Sequence, residues 1–330
     1  MSEQQEALDL SALRGQVAVV TGAGNRGVGW GLCQYAAGEL GMHVVAADLH
    51  DSLVEKAQLE LREAFPRVES LGIRCDVTDP ASLDACLDTI RREMPGVPIG
   101  AVFPNAGVVF PHTILKSTVE EWSTTLNVNV IGVVNTIKVF LPALQAQETP
   151  SVICPTASVG GLIRGDGGGA AYQASKHAVV ALTESLSFEL ARRHPQIHVH
   201  VLCPCIVRSA LVATSKANQA HDGREPFAPS EEPELLATDL AMTPERHAQQ
   251  VFDQIAEGKF YVVTDNVKPY VDHDFPFNGM ERIRERVDNL LRQTIDNRDA
   301  FSEDKTSLPS ASLKGPFFDE LRRRLKEDQA

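Results

Sequence analysis

Residues 16–40 constrain the fold of this chain more than any other stretch. Gln16 to Thr21 (QVAVVT) is a short apolar run that ends at a glycine, the pattern of a buried strand. Gly22-Ala23-Gly24-Asn25-Arg26-Gly27-Val28-Gly29 follows, and a helical pattern runs from Trp30 to Leu40. In a strand, glycine turn and helix, the backbone can approach a pyrophosphate closely. The free N–H groups and positive dipole end of the helix then meet its charge. A glycine-rich loop without a ligand is the plainer alternative, and the flanking elements weigh against it.

His43 to Asp48 (HVVAAD) reads as the second strand and ends in an acid. A carboxylate there can accept both ribose hydroxyls of an adenosine. It also repels a 2′-phosphate, so Asp48 favours NAD over NADP. Arg26 and His50 argue the other way, because either can meet a phosphate.

The alternation continues. Asp51 to Phe65 is an amphipathic helix, Ser70 to Cys75 a third strand, and Asp79-Pro80 a helix start. Ile99 to Phe103 is a fourth strand, Trp122 to Phe140 one long helix, Ser151 to Pro155 a fifth strand and His198 to Cys203 a sixth. Thr243-Pro244 opens another helix, with Thr as N-cap, and Lys259 to Thr264 is an edge strand. Strands that alternate with helices predict an α/β chain, a Rossmann-type doubly wound parallel sheet with ligands at the carboxyl ends of the strands. The expected organisation is an N-terminal arm over 1–12, a dinucleotide-binding and catalytic domain over 13–265, and a helical C-terminal extension over 266–330. Residues 210–242 have no clean period and read as a substrate lid. In the extension, Met280 to Asn297 has the spacing of an amphipathic helix, and Gly315 to Lys326 of a shorter one.

Composition narrows the partners. The chain carries 44 acids against 31 Lys and Arg, a formal net charge of −13, which argues against a nucleic-acid binder. No apolar run reaches the ~18 residues of a membrane helix, and the start, MSEQQEALDL, has no basic-then-apolar pattern. The six cysteines form no metal-type Cys-x-x-Cys pair and read as reduced thiols. These features predict a cytoplasmic protein with no membrane partner and no metal.

Tyr172-Gln173-Ala174-Ser175-Lys176 bears on chemistry. On a helix, positions i and i+4 share a face. The Lys176 cation beside the Tyr172 phenol should pull it down from its usual value near ~10, toward an acid/base for an alcohol oxygen. Tyr and Lys four apart are also common on solvated helix faces, so the pair needs support from elsewhere.

With that pair included, residues 13–265 resemble a short-chain dehydrogenase/reductase. The motifs that carry the resemblance are Thr21-Gly22…Gly27-Val28-Gly29, Asp76-Val77, Asn105-Ala106-Gly107, Asn129, Ser158 three residues before Gly161, and Tyr172…Lys176. The resemblance implies an NAD(P)-dependent oxidoreductase acting on a small alcohol or ketone, assembled as a homodimer or homotetramer. It implies that Tyr172 exchanges the hydroxyl proton and that Lys176 lowers the Tyr172 pKa and binds ribose. Ser158 then polarises the substrate oxygen, and Asn129, with Asn127 as the second choice, kinks its helix and completes a proton relay. Asp76, Val77, Asn105, Ala106 and Gly107 become cofactor contacts, with Val207 holding the carboxamide through its backbone and Ser209 beside it.

Two departures stand out. The glycine turn has one extra residue, and Pro204-Cys205 replaces the usual Pro-Gly, which should alter the nicotinamide wall without removing the cofactor. The substituted Pro-Gly, long lid and long tail resemble dehydrogenases of secondary benzylic alcohols. A non-redox enzyme or a regulatory protein on the same fold are the alternatives, and the intact Ser158, Tyr172 and Lys176 weigh against both.

Overall fold

Six strands lie parallel in one sheet: β1 (Val17–Thr21), β2 (His43–Asp48), β3 (Ser70–Arg74), β4 (Ile99–Phe103), β5 (Ser151–Ile153) and β6 (Ile197–Val199), in the order β3-β2-β1-β4-β5-β6. The computed structural model describes residues 7–24, 26–162, 169–211 and 241–264. The proposed extension over 266–330 lies outside the described residues, as do residues 1–6 of the arm, Asn25, residues 163–168, and 212–240 of the proposed lid. The strand order reverses between β1 and β4, so their carboxyl ends flank the crevice in which doubly wound sheets bind ligands. β1 is buried throughout because helices cover both faces of the sheet.

The helices begin where local chemistry allows. Asp79 caps α3 (Pro80–Glu93), accepting from Ala81 N–H at 3.0 Å, and Thr243 caps α7 (Pro244–Ala256). Before them come α1 (Val28–Gly38) and α2 (Asp51–Ala64). α1 packs on α7, and their interface closes on rings: Tyr35 stacks on Phe252 with centroids 4.9 Å apart, and Phe252 meets Phe103 of β4 at 5.7 Å.

Two expected elements differ. The long helix spans α4 (Val119–Leu126), a π turn (Asn127–Ile131) and α5 (Gly132–Gln145). The wider turn is closed by Gly132 N–H donating to Asn127 C=O. This run is long and apolar enough to cross a membrane by length and composition, although no unbroken apolar stretch was expected. The mean over its length is high despite Asn127, Asn129 and Asn135. Here it flanks the sheet with Phe140 and Leu144 fully buried.

The sixth strand is two strands. β6 pairs with β5, whereas β7 (Val201–Pro204) pairs in parallel with β8 (Tyr261–Thr264). β5 ends at Ile153 because Pro155 has no N–H to continue the ladder. Among the described residues, an isolated bridge, Thr156 with Leu202, joins the two sheets beyond it.

Candidate active site

A cavity of about 880 Å³ opens at the carboxyl ends of the strands, at the upper end of ordinary ligand pockets. Its walls include Gly22, Asp48, Asn105, Ser158, Tyr172 and Lys176, which are far apart in sequence. Sheet topology brings them together.

One wall is the glycine turn. Gly22 has φ +68°, a conformation that disfavours side chains, and an added Cβ would lie 2.7 Å from the Ala106 Cα. Gly27 precedes α1 with no side-chain cap, and the first turn of α1 carries no acid, so Val28 and its neighbours offer N–H groups to an anion. A Cβ on Gly27 would come within 3.0 Å of the Ser209 Cβ, so the turn and the segment after β7 face each other closely.

Asp48 accepts from Gly24 N–H at 2.9 Å and from Leu49 N–H at 2.8 Å, one bond on each oxygen. Burial pushes its carboxyl up, and those two bonds and the nearby His50 charge pull it back. Each oxygen keeps a lone pair for a hydroxyl. Arg26 does not turn to the cavity: its Nη2 donates to Glu60 Oε1 of α2 at 3.1 Å.

The other expected contacts line the cavity but are partly committed to the fold. Asp76 Oδ1 accepts from the Thr78 N–H at 2.9 Å and the Thr78 hydroxyl at 2.7 Å, beside Val77. Asn105 spends its amide hydrogens on Thr21 C=O (2.9 Å) and Gly22 C=O (3.3 Å), and the Thr21 hydroxyl accepts from the Asn105 and Ala106 N–H groups. Asn105 therefore staples the end of β4 to the glycine turn. Gly107 is the spacer before the Lys176 side of the cavity, where a Cβ would stand 3.3 Å from Asn129 Oδ1 and 3.5 Å from Lys176 Nζ.

On the opposite wall, Ser158 caps a short 3-10 turn, Val159–Gly161, accepting from Gly160 N–H at 3.1 Å. A Cβ on Gly161 would meet Lys176 C=O at 2.6 Å, so this turn lies directly on α6 (Ala170–Leu190). That contact puts the Ser158 hydroxyl in hydrogen-bonding reach of the Tyr172 phenol. Lys176 is buried, donates from Nζ to Thr156 C=O at 2.7 Å, and lies 5.5 Å from the centre of the Tyr172 ring.

The expected depression of the phenol does not hold in this site. Burial pushes Tyr172 up, and the Ser158 hydroxyl is what pulls it back. The Lys176 ammonium is pushed down to about 8 by the same burial. Beneath them the buried Cys203 thiol, raised to about 12 by desolvation, takes a hydrogen bond from the Ser158 backbone. It is neutral at ordinary pH.

Asn129 sits in the π turn, fully buried. Its Oδ1 accepts from Val108 N–H at 2.8 Å, and its Nδ2 donates to Val108 C=O at 3.0 Å and to Ser175 Oγ at 2.9 Å. Ser175 in turn donates to Tyr172 C=O at 2.6 Å. Both amide hydrogens of Asn129 are thus spent: one ties the π turn to Val108, and the other positions, through Ser175, the helix turn that carries Tyr172.

Past β7, Val207 bridges Met242, with Arg208 N–H donating to Met242 C=O and Met242 N–H to Ile206 C=O. By strand alternation the peptide groups of Val207 itself point the other way. Val207 and Cys205 both line the cavity.

Thr156, Ser175 and Glu60 were not singled out by sequence reasoning. Ser175 carried a signal, because a serine within a helix commonly bonds a carbonyl three or four residues back. The other two depend on contacts between distant segments.

A family model described as short chain dehydrogenase matches residues 16–220. A short chain dehydrogenase/reductase from Burkholderia phymatum, solved in complex with NAD, is 29% identical, with TM-score 0.69 over 90% of this chain and 99% of that one. A 3-ketoacyl-(acyl-carrier-protein) reductase from Brucella melitensis, complexed with NADH, is 25% identical, with TM-score 0.61 over 77% and 97% of the two chains. Among curated proteins, meso-2,3-butanediol dehydrogenase of Serratia marcescens is 30% identical over 59% of this chain and 72% of its own.

Proposed function

The chain belongs to the short-chain dehydrogenase family, and from that premise we propose that it is an NAD(P)-dependent oxidoreductase that interconverts a secondary alcohol and a ketone. The observation that carries the reading is the meeting of the Ser158 hydroxyl, the Tyr172 phenol and the buried Lys176 ammonium at one wall of the cavity.

The residues present fit a dinucleotide. The close approaches at Gly22 and Gly27 leave a cradle that side chains would fill, and the start of α1 supplies N–H groups for the pyrophosphate. Asp48 would take the adenosine ribose, with Asp76 and Val77 beside the adenine. The peptide groups of Val207 would hold the carboxamide, near Ser209. Asp48 favours NAD, the cofactor bound in the solved relative from Burkholderia phymatum.

Bound nicotinamide supplies or accepts the hydride. Tyr172 takes the hydroxyl proton in oxidation and gives it in reduction. Ser158, whose one hydroxyl hydrogen steadies the phenol of Tyr172 before substrate binds, would turn it to the substrate oxygen as negative charge develops there. Lys176 holds a positive charge over the ring and would bind a ribose hydroxyl of the nicotinamide half. Asn129 and Ser175 fix the backbone of Tyr172. Cys205 lines the same cavity and would narrow the wall where the nicotinamide binds.

Val119, Leu126 and Ile131 are 76%, 38% and 47% exposed along α4 and the π turn, which supports pairing between copies as a homodimer or homotetramer. The test of function is a panel of small secondary alcohols and ketones with NAD or NADP and their reduced forms, followed by nicotinamide fluorescence. Turnover of at least one pair supports the proposal. Tight cofactor binding without hydride transfer across the panel would favour a non-redox or regulatory role.

A further inference from the structure

We propose that Glu60 is a positioning residue that biases cofactor preference by holding the Arg26 guanidinium away from the adenosine ribose, so that NADH binds better than NADPH. The inference rests on the reading of the cavity as an NAD(P) site.

Arg26 is the only basic residue of the glycine turn over 22–29, and so the natural partner there for a 2′-phosphate. A guanidinium binds phosphate and carboxylate by the same fork of donors. In this structure one arm of the fork is held by a carboxylate: Arg26 Nη2 lies 3.1 Å from Glu60 Oε1 and 3.4 Å from Oε2. Helix geometry puts Glu60 there. Leu53, Ala57 and Glu60 share one stripe of α2, and an added Cβ on Gly24 would lie 2.6 Å from the Leu53 Cβ. The stripe therefore runs along the glycine turn and presents Glu60 to Arg26.

On the other side, both oxygens of Asp48 are pinned by the Gly24 and Leu49 N–H groups, so that carboxylate cannot swing away from a phosphate. A 2′-phosphate arriving here meets the fixed charge of Asp48. It must also compete with Glu60 for the one guanidinium within the turn. NADH meets neither obstacle.

The pair is partly solvated, with Arg26 61% and Glu60 33% exposed in their side chains. Exposed ion pairs are weak and screened by salt. The device therefore biases the choice of cofactor and does not enforce it.

The experiment titrates NADH and NADPH separately against the full chain by nicotinamide fluorescence, for the unmodified protein, Glu60→Gln, Arg26→Ala and the double variant. Glu60→Gln should tighten NADPH binding about three- to fivefold at low salt, with NADH unchanged. The gain should vanish in the Arg26→Ala background and shrink at high salt. Glu60→Lys should move NADPH in the same direction and further. A merely structural role for Glu60 would move both dinucleotides together. Unchanged NADPH affinity in Glu60→Gln and Glu60→Lys, or an equal gain without Arg26, would overturn the inference. Binding of neither dinucleotide to the unmodified chain would overturn the cofactor reading itself, and this inference with it.

Discussion

On one side of the cavity, shape comes from side chains that are missing. Gly22 and Gly27 let backbone approach backbone, and the groups offered to a ligand are mostly peptide N–H donors. On the other side it comes from polar side chains that are present and buried. Asn129, Ser175 and Lys176 are at most 3% exposed, and each is tied to a carbonyl or a hydroxyl. A backbone cradle can grip a phosphate whatever the substrate, and it fails when a side chain intrudes. A network of side chains can hold a phenol where a proton must move, and it fails when one partner is removed. The two walls should therefore break in different ways.

Ser158→Ala should show the largest effect in this contrast. It removes the donor proposed for the substrate oxygen and the hydroxyl that pulls the Tyr172 phenol back down. Turnover should fall about 10²–10³-fold, and the pH at which oxidation gains speed should move upward. Cofactor affinity should stay nearly constant. A pH–rate profile with parallel NADH titration checks both, and an unchanged pH limb would deny Ser158 its influence on the phenol.

Gly22→Ala should do the reverse. The left-handed φ and the Ala106 backbone leave no room for a Cβ. Strain of about 1–3 kcal/mol should appear as a lower thermal midpoint and weaker NADH binding. Once the site is saturated, turnover should change little. Loss of saturated turnover with intact cofactor affinity would erase the distinction between the walls.

A smaller effect should come from outside both walls. Burial keeps His200 neutral down to about 4 and His247 down to about 3, against 6.5 when unfolded. His200 Nδ1 donates to Lys259 C=O, and His247 hydrogen-bonds Thr264, so both brace β7, β8 and α7. Below pH 6.5 the unfolded chain binds more protons than the folded one, so stability falls as pH falls toward 4. The thermal midpoint should drop by a few degrees between pH 7 and 5.5. His200→Gln together with His247→Gln should flatten that slope without changing cofactor choice at pH 7.

What the sequence revealed follows the same division. Thr21 to Gly29, Asp48 and the strands around them were legible because local pattern dictates them: an apolar run, glycines where φ or space requires them, an acid at a strand end. Tyr172 and Lys176 were legible as a helical pair.

Other features lie between segments and leave no local mark. The π turn around Asn129 forms where that side chain reaches Val108, 21 residues back. The break between β6 and β7 depends on Pro155, which lies just beyond the end of β5. The Tyr172 phenol was expected to be lowered, and burial raises it. Burial is a property of the assembled wall, which the four-residue spacing does not contain. Arg26 read as a phosphate partner until α2 brought Glu60 alongside it.

The central claim is that Tyr172 moves the proton while the glycine-turn wall holds the cofactor. It is tested most directly by Tyr172→Phe, which keeps the ring and deletes the hydroxyl. NADH affinity and saturated turnover would be measured on the same sample with the best alcohol of the panel. The account predicts turnover reduced about 10²–10⁴-fold and NADH affinity within a few-fold of the unmodified chain. Turnover retained within a few-fold would contradict it and assign the proton transfer to another group.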